Sequence, residues 1–537
     1  MLTIAFKANN VLFTKHKRKT FLLILFSAII ITLLTYEFIL KGVEKSLNVE
    51  ILVSNNMLGK IDPKIYGHFI EHVGRCIYGG VWVGEDSPLP NLRGLRLDVL
   101  KATRAIKPPI IRWPGGNFAS GYHWKDGIGP RSKRPLRTNP AWGGFESNQF
   151  GTDEFIDFCR EVGAEPLIVV NMGSGTPQEA AEWVEYCNGD LNTTYGKLRA
   201  ENGHPEPYNV KYWMLGNEMY GEWQIGHMDA DTYAKTAVDF ANAMKSIDPS
   251  IKLIAVGWFG TSSDSFHWNK KVLESAGDYI DYLSLHTYCW KPRYDDYYTI
   301  VNYPLNVEED LKKIVELINS LMKDKPGKSI KIALTEWGVW YENATSGLTQ
   351  SVRLCDGLLA AGMFHVFHRL CNNVTMANFA QLVNALPAIV TDDNGSIYVN
   401  PIYLVFKLYR DNTGEIVLKT SVRGALTSVL DVSATMDENG KYVYLAVINK
   451  DPEKKVSTKI ILEGFNPKNI FKVSQLNGPG IFSTNNFESP DVVKITEAFI
   501  EIDIKDNYFI YNFDPHSITI LVLERAKEIT MPSSGGA

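Results

Sequence analysis

The sequence predicts an α/β protein: a (β/α)8 TIM barrel, followed by a C-terminal antiparallel β-sandwich of jelly-roll-like type and preceded by an N-terminal transmembrane segment. Three observations carry this. Eight short apolar runs alternate with longer amphipathic segments between Ile65 and Leu382, as a closed parallel barrel requires. Beyond Pro401 the chain breaks into short β-rich runs punctuated by Gly, Asn, Asp and Pro, the texture of an antiparallel sandwich. Ahead of both, the apolar stretch 20–40, "TFLLILFSAIIITLLTYEFIL", follows the basic cluster "KHKRK" and is long enough to cross a bilayer.

Taken in order, residues 1–19 are expected to form a cytoplasmic basic tail and 20–40 a transmembrane anchor or uncleaved signal. The run is long for a signal peptide, and no A-x-A-like site follows its apolar core. The basic flank should stay inside, which exports the body as a single-pass protein, or secretes it if the segment is cleaved. Residues 47–60, with "SLNVEILV", supply a strand assigned to the sandwich. The barrel is placed at 61–400. Its strands are "IYGHF", "PIIRW", "PLIVVN", "KYWMLGN", "KLIAVG", "YLSLH", "IKIALT" and "MANFAQ". Helical periodicity falls at Leu92–Ile106, Thr152–Val162, Pro177–Cys187, Ala230–Ile247, Glu308–Met322 and Ser351–His368. "GIGPRSKRPLRTNPAWGGFESNQFG" is an enlarged loop. The sandwich is placed at 401–527 and a flexible tail, ending "MPSSGGA", at 528–537.

Composition narrows the function. The 537 residues are 45% hydrophobic and 21% charged, with a formal net charge of −5. That is an ordinary globular balance, and no basic, aromatic-interleaved face recruits nucleic acid. The six cysteines lack C-x-x-C spacing, so neither a zinc ribbon nor a dense disulfide framework is implied.

"HFIEH", His68 to His72, matches the H-x-x-E-H zinc-protease pattern. That pattern needs a helix to stack its histidines one turn apart, and Pro63, Gly67 and Gly74 disfavour one here. As a strand, the segment puts His68, Ile70 and His72 on one side and Phe69 and Glu71 on the other. Glu71 then points away from both histidines, and no metal is expected.

Catalytic residues of a barrel gather at the C-terminal ends of its strands. Those ends carry Arg112 and Asn117, Asn217 and Glu218, His286 and Tyr288, Glu336, and Gln381. With Trp113, Trp223, Trp337 and Trp340 beside them, they suit a polar, ring-shaped ligand: aromatic faces cover the apolar side of a sugar while amides and carboxylates bind its hydroxyls. Glu218 and Glu336, on strands four and seven, would face each other across the mouth as the carboxylate pair of a glycosidase. A charged Glu336 would favour the protonated form of Glu218.

The segments "IYGHFIEHVGRCIYGG", "RWPGGNFASGYHWKDGIGP", "FGTDEFIDFCREVGAEP", "GNEMYGEWQIGHM", "LTEWGVWY" and "AQLVNAL" closely resemble family 51 glycoside hydrolases, the α-L-arabinofuranosidases, from about Lys60 to Pro401. The resemblance implies a retaining, cofactor-free enzyme that releases non-reducing terminal α-L-arabinofuranosyl residues from arabinose-containing oligosaccharides or polysaccharides. It makes Glu218 the general acid/base, Glu336 the nucleophile and Asn217 a ligand of the sugar 2-hydroxyl. Glu71, Asn117, Tyr288 and Gln381 would line the furanose subsite, His286 would stand beside the catalytic pair, and Trp142 would border the cleft. A homo-oligomer, commonly a hexamer, is also implied. Alternatives are a β-xylosidase or endo-β-glucanase of the same clan, or an anchored sugar-binding protein that has lost catalysis.

Overall fold

Eight parallel strands close the barrel in chain order: Gly67–Phe69, Ile110–Trp113, Glu165–Val170, Tyr212–Leu215, Lys252–Val256, Tyr282–Trp290, Lys331–Trp340 and Val374–Phe379. The last returns to the first through Asn378–Gly67 and Phe379–His68 pairing. The computed structural model describes residues 49–526 apart from 326, 346 and 425–427. The barrel strands are mostly apolar and largely buried, because helices cover their outer faces.

Several helices follow from local signals. Thr152–Val162 ends at Gly163, which takes φ 75°, the left-handed turn that favours glycine. Ala230–Ile247 starts at Asp229, whose side chain accepts from Thr232 N. Three stretches depart from expectation. The helix expected from Glu308 begins at Tyr297 and carries Pro304 inside it; Pro304 packs where a Cβ on Gly362 would come within 2.8 Å of its ring. Residues 401–411, expected to open the β-rich region, form the helix Pro401–Asp411, capped by Asn400. Ser263–Ala276 is a further helix, capped by Ser262, that periodicity did not single out.

The expected transmembrane segment is corrected. No helix of the described residues is long and apolar enough to cross a membrane. The 26-residue helix Tyr297–Met322 carries Glu308, Glu309, Asp310, Lys312 and Lys313, a charged face that excludes a bilayer span. Residues 1–48, with the basic tail and the 20–40 run, lie outside the described residues, as do 527–537. The described fold is therefore a barrel and a β-domain alone.

That domain is one nine-stranded sheet with Lys494–Glu501 and Tyr508–Phe513 as its outermost strands. Val49–Lys60 inserts between Ile416–Arg423, antiparallel, and Val456–Leu462, parallel. The sheet curls on itself. Phe471, next to one edge, meets Phe509, on the other edge, at 4.9 Å between ring centroids. Between the two halves lies a separate apolar core of Ile51, Leu445, Ile460, Phe471, Phe509 and Leu521, the interior of a sandwich. The helices Leu354–Arg369 and Tyr297–Met322 bind this domain to the barrel. His365 Nδ1 lies 3.0 Å from Asp431 Oδ1, Arg369 Nη1 donates to the same oxygen at 3.0 Å, and Tyr297 donates to Lys450 O at 2.9 Å.

Candidate active site

Strand ends six and seven run together past their barrel partners and pair His286 with Glu336, after a register shift beyond Ser284. Glu336 is buried. Its Oε1 accepts from Arg112 Nη1 at 2.7 Å and its Oε2 from the Tyr288 hydroxyl at 2.7 Å. Burial pushes the Glu336 pKa up, but His286, Arg112 and the two hydrogen bonds outweigh it and hold the carboxyl below the ordinary range. Glu336 is thus kept ionised, as a nucleophile must be.

Glu218 follows strand four in a left-handed conformation, φ 42°, which turns its side chain over the barrel mouth. Its Oε1 lies 2.8 Å from His286 Nδ1, and its Oε2 accepts from Trp223 Nε1 at 2.9 Å. His286 Nε2 lies 2.8 Å from Thr335 Oγ1, which fixes the ring. One oxygen of each glutamate and His286 Nδ1 all lie within 4.8 Å of one another. That closeness suits direct attack and double displacement; an inverting pair stands about 6.5–9.5 Å apart to admit water.

Arg112, on the second strand, is the hub that sequence reasoning left without a role. It is fully buried and holds Glu336, Thr335 O (3.1 Å), Gly115 O (3.3 Å) and Asn217 Oδ1 (2.5 Å). Its position at a strand end was the only signal, since its side-chain partners Glu336 and Asn217 lie over 100 residues away. Through Arg112 the Asn217 amide is oriented, and Asn217 Nδ2 is left buried without a partner. The two glycines of "RWPGGNF" are required by contact. A Cβ on Gly115 would meet Glu71 Cγ at 2.7 Å, and one on Gly116 would meet Glu336 Oε1 at 2.8 Å.

Glu71 closes the pocket on the other side. Its Oε1 accepts from Gly116 N (3.0 Å), Phe118 N (3.1 Å) and Trp142 Nε1 (2.9 Å), and its Oε2 from Gln381 Nε2 (3.1 Å). Burial and the neighbouring Glu336 charge raise its pKa against those hydrogen bonds. Gln381 Oε1 is buried without a partner, and Asn117 Oδ1 accepts from Gln224 at 2.6 Å.

These groups surround a cavity of about 450 Å³ walled by Glu71, Asn117, Trp142, Glu218, Tyr288, Glu336 and Gln381. His286 and Asn217 are not among its walls: His286 Nδ1 lies 2.8 Å from Glu218 Oε1 and 3.6 Å from Glu336 Oε1, and Asn217 is held by Arg112. Trp223 and Trp340 line the cavity, together with Tyr220, Trp258 and Trp290, which sequence reading did not name. Trp113 and Trp337 do not; both are fully buried. Trp337 neighbours Glu336 on an extended strand and so points to the opposite side.

The H-x-x-E-H residues do not form the single strand expected of them: strand one ends at Phe69, Glu71 and His72 lie beyond it, and the two histidines sit in different surroundings. His68 lies against Phe406 and Phe379, and burial pushes its pKa down to about 3, so it is neutral. His72 Nδ1 lies 2.7 Å from Glu146 Oε2, and its Nε2 accepts from Trp113 Nε1. Among the described residues the set of three potential metal ligands that does converge is Glu218, His286 and Glu336. There the Arg112 guanidinium already occupies the Glu336 oxygen.

A barrel whose mouth holds two such carboxylates over a sugar-sized, aromatic-walled cavity is a retaining glycoside hydrolase in architecture. Family models for an α-L-arabinofuranosidase 1 domain and an α-L-arabinofuranosidase C-terminal domain match residues 102–303 and 335–517. The chain is 38% identical over 494 residues to α-L-arabinofuranosidase C of Emericella nidulans, covering 86% of this chain and 95% of that one. It is 34% identical to an intracellular exo-α-L-arabinofuranosidase of Bacteroides ovatus, over 86% and 93% of the two chains. The α-L-arabinofuranosidase of Thermotoga maritima, solved as an arabinose complex, superposes with a TM-score of 0.83 at 44% identity over 89% of this chain and all of that one. The chain belongs to the α-L-arabinofuranosidases of glycoside hydrolase family 51.

Proposed function

We propose that this protein releases non-reducing terminal α-L-arabinofuranosyl residues from arabinose-containing oligosaccharides and polysaccharides by double displacement. The observation that carries the reading is the close approach of Glu218 and Glu336 over one cavity, in a chain of arabinofuranosidase ancestry. Glu336 attacks the anomeric carbon while Glu218 gives its proton to the departing glycosidic oxygen. Glu218 then takes a proton from water, which attacks the same carbon and frees Glu336, so configuration is retained. The orphaned Asn217 Nδ2 and Gln381 Oε1 await sugar hydroxyls, with Asn217 beside the reacting centre. Glu71 and Asn117 complete the furanose pocket, Tyr288 steadies the nucleophile, and Trp142 covers the ring.

Initial rates on aryl α-L-arabinofuranoside, β-D-xyloside and β-D-glucoside, in EDTA, test the reading. The arabinofuranoside should dominate and chelation should not reduce the rate. Dominance of either β-glycoside would overturn the substrate, and silence on all three from folded protein would overturn the enzyme reading. The assembly we infer from the family resemblance is a homohexamer; light scattering of the purified protein giving the mass of a monomer would defeat it.

A further inference from the structure

Outside the furanose pocket the cleft has a second wall whose support lies in another part of the chain. The pocket floor is polar and buried: Glu71, Glu336 and Gln381. Trp290 is 57% exposed, pairs in register with Trp340 and packs edge-on against it at 4.8 Å between centroids. The exposed Trp290 and the half-buried Trp340 at the rim are placed to meet the part of a substrate that extends beyond the cleaved ring.

Just behind this pair sits Arg353, at the start of the helix Leu354–Arg369 and itself fully buried. Its guanidinium donates to Tyr294 O, in the segment after Trp290, and to the hydroxyl of Tyr341, the residue after Trp340. Its Cζ also lies 3.9 Å from the Tyr294 ring centroid, 4.6 Å from that of Tyr341 and 4.9 Å from that of Phe482. Phe482 belongs to the β-domain, in the connection between Ile470–Asn477 and Lys494–Glu501. That connection is fastened to the same helix start by Leu354 N to Ser483 O (2.9 Å) and Cys355 N to Ile481 O (3.0 Å). Asp356 completes the knot, accepting from the Tyr341 hydroxyl and from Arg353 N.

We propose that Arg353 is a positioning residue for the Trp290–Trp340 wall, clamping both indoles' flanking segments against the Phe482 loop of the β-domain and so setting the binding of the sugar chain beyond the furanose. A planar cation gripped by three rings does this as a lysine cannot, because only guanidinium stacks and forks at once. The proposal rests on the arabinofuranosidase reading. It makes the β-domain a contributor to substrate recognition, although none of its residues lines the cavity.

The test uses the full chain with Arg353→Lys and, separately, Phe482→Ala, each checked for folding by its melting transition. Kinetics are compared on methyl α-L-arabinofuranoside, which has no ring on the leaving side, and on a linear arabino-oligosaccharide. KM for the oligosaccharide should rise about fivefold or more while kcat/KM for the methyl glycoside stays within about twofold. Equal losses on both substrates, or no change on either, would overturn the clamp. Phe482 is 37% exposed, so its variant decides the matter if Arg353→Lys does not fold. Wild-type protein inactive on the methyl glycoside would defeat the enzyme reading itself, a result distinct from failure of the clamp.

Discussion

At the scale of single residues, the site is organised by a charge that does not itself line the cavity. Arg112 brings the nucleophile and Asn217 to one guanidinium and offsets the burial that would otherwise protonate Glu336. The sign follows directly. Glu336 must be ionised to attack, its pKa is depressed, and on the acid side activity is therefore lost as pH falls through that depressed value. Arg112→Met removes a positive charge and a hydrogen bond that, beside His286, oppose the effect of burial, so the Glu336 pKa rises. The acidic limb of kcat/KM should move to higher pH by about one unit or more; an unmoved limb in folded protein would refute the role. Glu336→Gln should lower kcat by at least about 10³-fold while calorimetry still detects arabinose binding. The carboxylates themselves were legible in the sequence, because each follows an apolar barrel-strand run in a short polar motif. Arg112's centrality was not, since it arises only when strands two, four and seven close on one another. Trp337 and Trp340 were equally bright in the sequence, yet only side-chain alternation on the real strand separates core from cleft.

Among elements, the turn after strand two carries the tightest tolerance. The segment Trp113 to Asn117 passes between Glu71 and Glu336, and at Gly116 the limiting neighbour is a carboxylate oxygen already pinned by Arg112. Gly116→Ala should therefore leave the melting temperature within a few degrees, because the intruding methyl faces a cavity rather than the core. It should nonetheless lower kcat/KM about 10²-fold by displacing the nucleophile; near-normal kinetics would show that Glu336 yields freely. Elements with their own punctuation, such as Thr152–Val162 between Gly151 and Gly163, were readable from local chemistry. Those defined by tertiary packing were not. Tyr297–Met322 runs through Pro304 because Gly362 of a neighbouring helix leaves room for the ring, and Pro401–Asp411 looks like the beginning of a β-rich region until its apolar face meets the barrel.

For the whole molecule, the join between barrel and β-domain is ionic at its centre. Asp431 lies between His365 and Arg369, and Arg369 is also held by Glu308 at 2.7 Å. Burial alone would raise the Asp431 pKa, but His365, Arg369 and Lys450 outweigh it and depress the group strongly. His365 itself is pushed down by burial, so at neutral pH its ring is neutral, donating from Nδ1 to Asp431 and accepting at Nε2 from Tyr409. Arg369 and Lys450 are then the lasting counter-charges. A carboxyl depressed in the folded state stabilises fully above its unfolded pKa of about 3.9, and that contribution fades as pH falls toward the folded value. Asp431→Asn leaves Arg369 half-paired in a largely dry interface, and breaking such a pair costs about 3 kcal/mol at pH 7. Calorimetry should show a clearly lower melting temperature for Asp431→Asn at neutral pH, with the gap from wild type narrowing once pH drops below about 4. A gap that stays constant across that range would mean the carboxylate's charge contributes nothing to holding the two domains together.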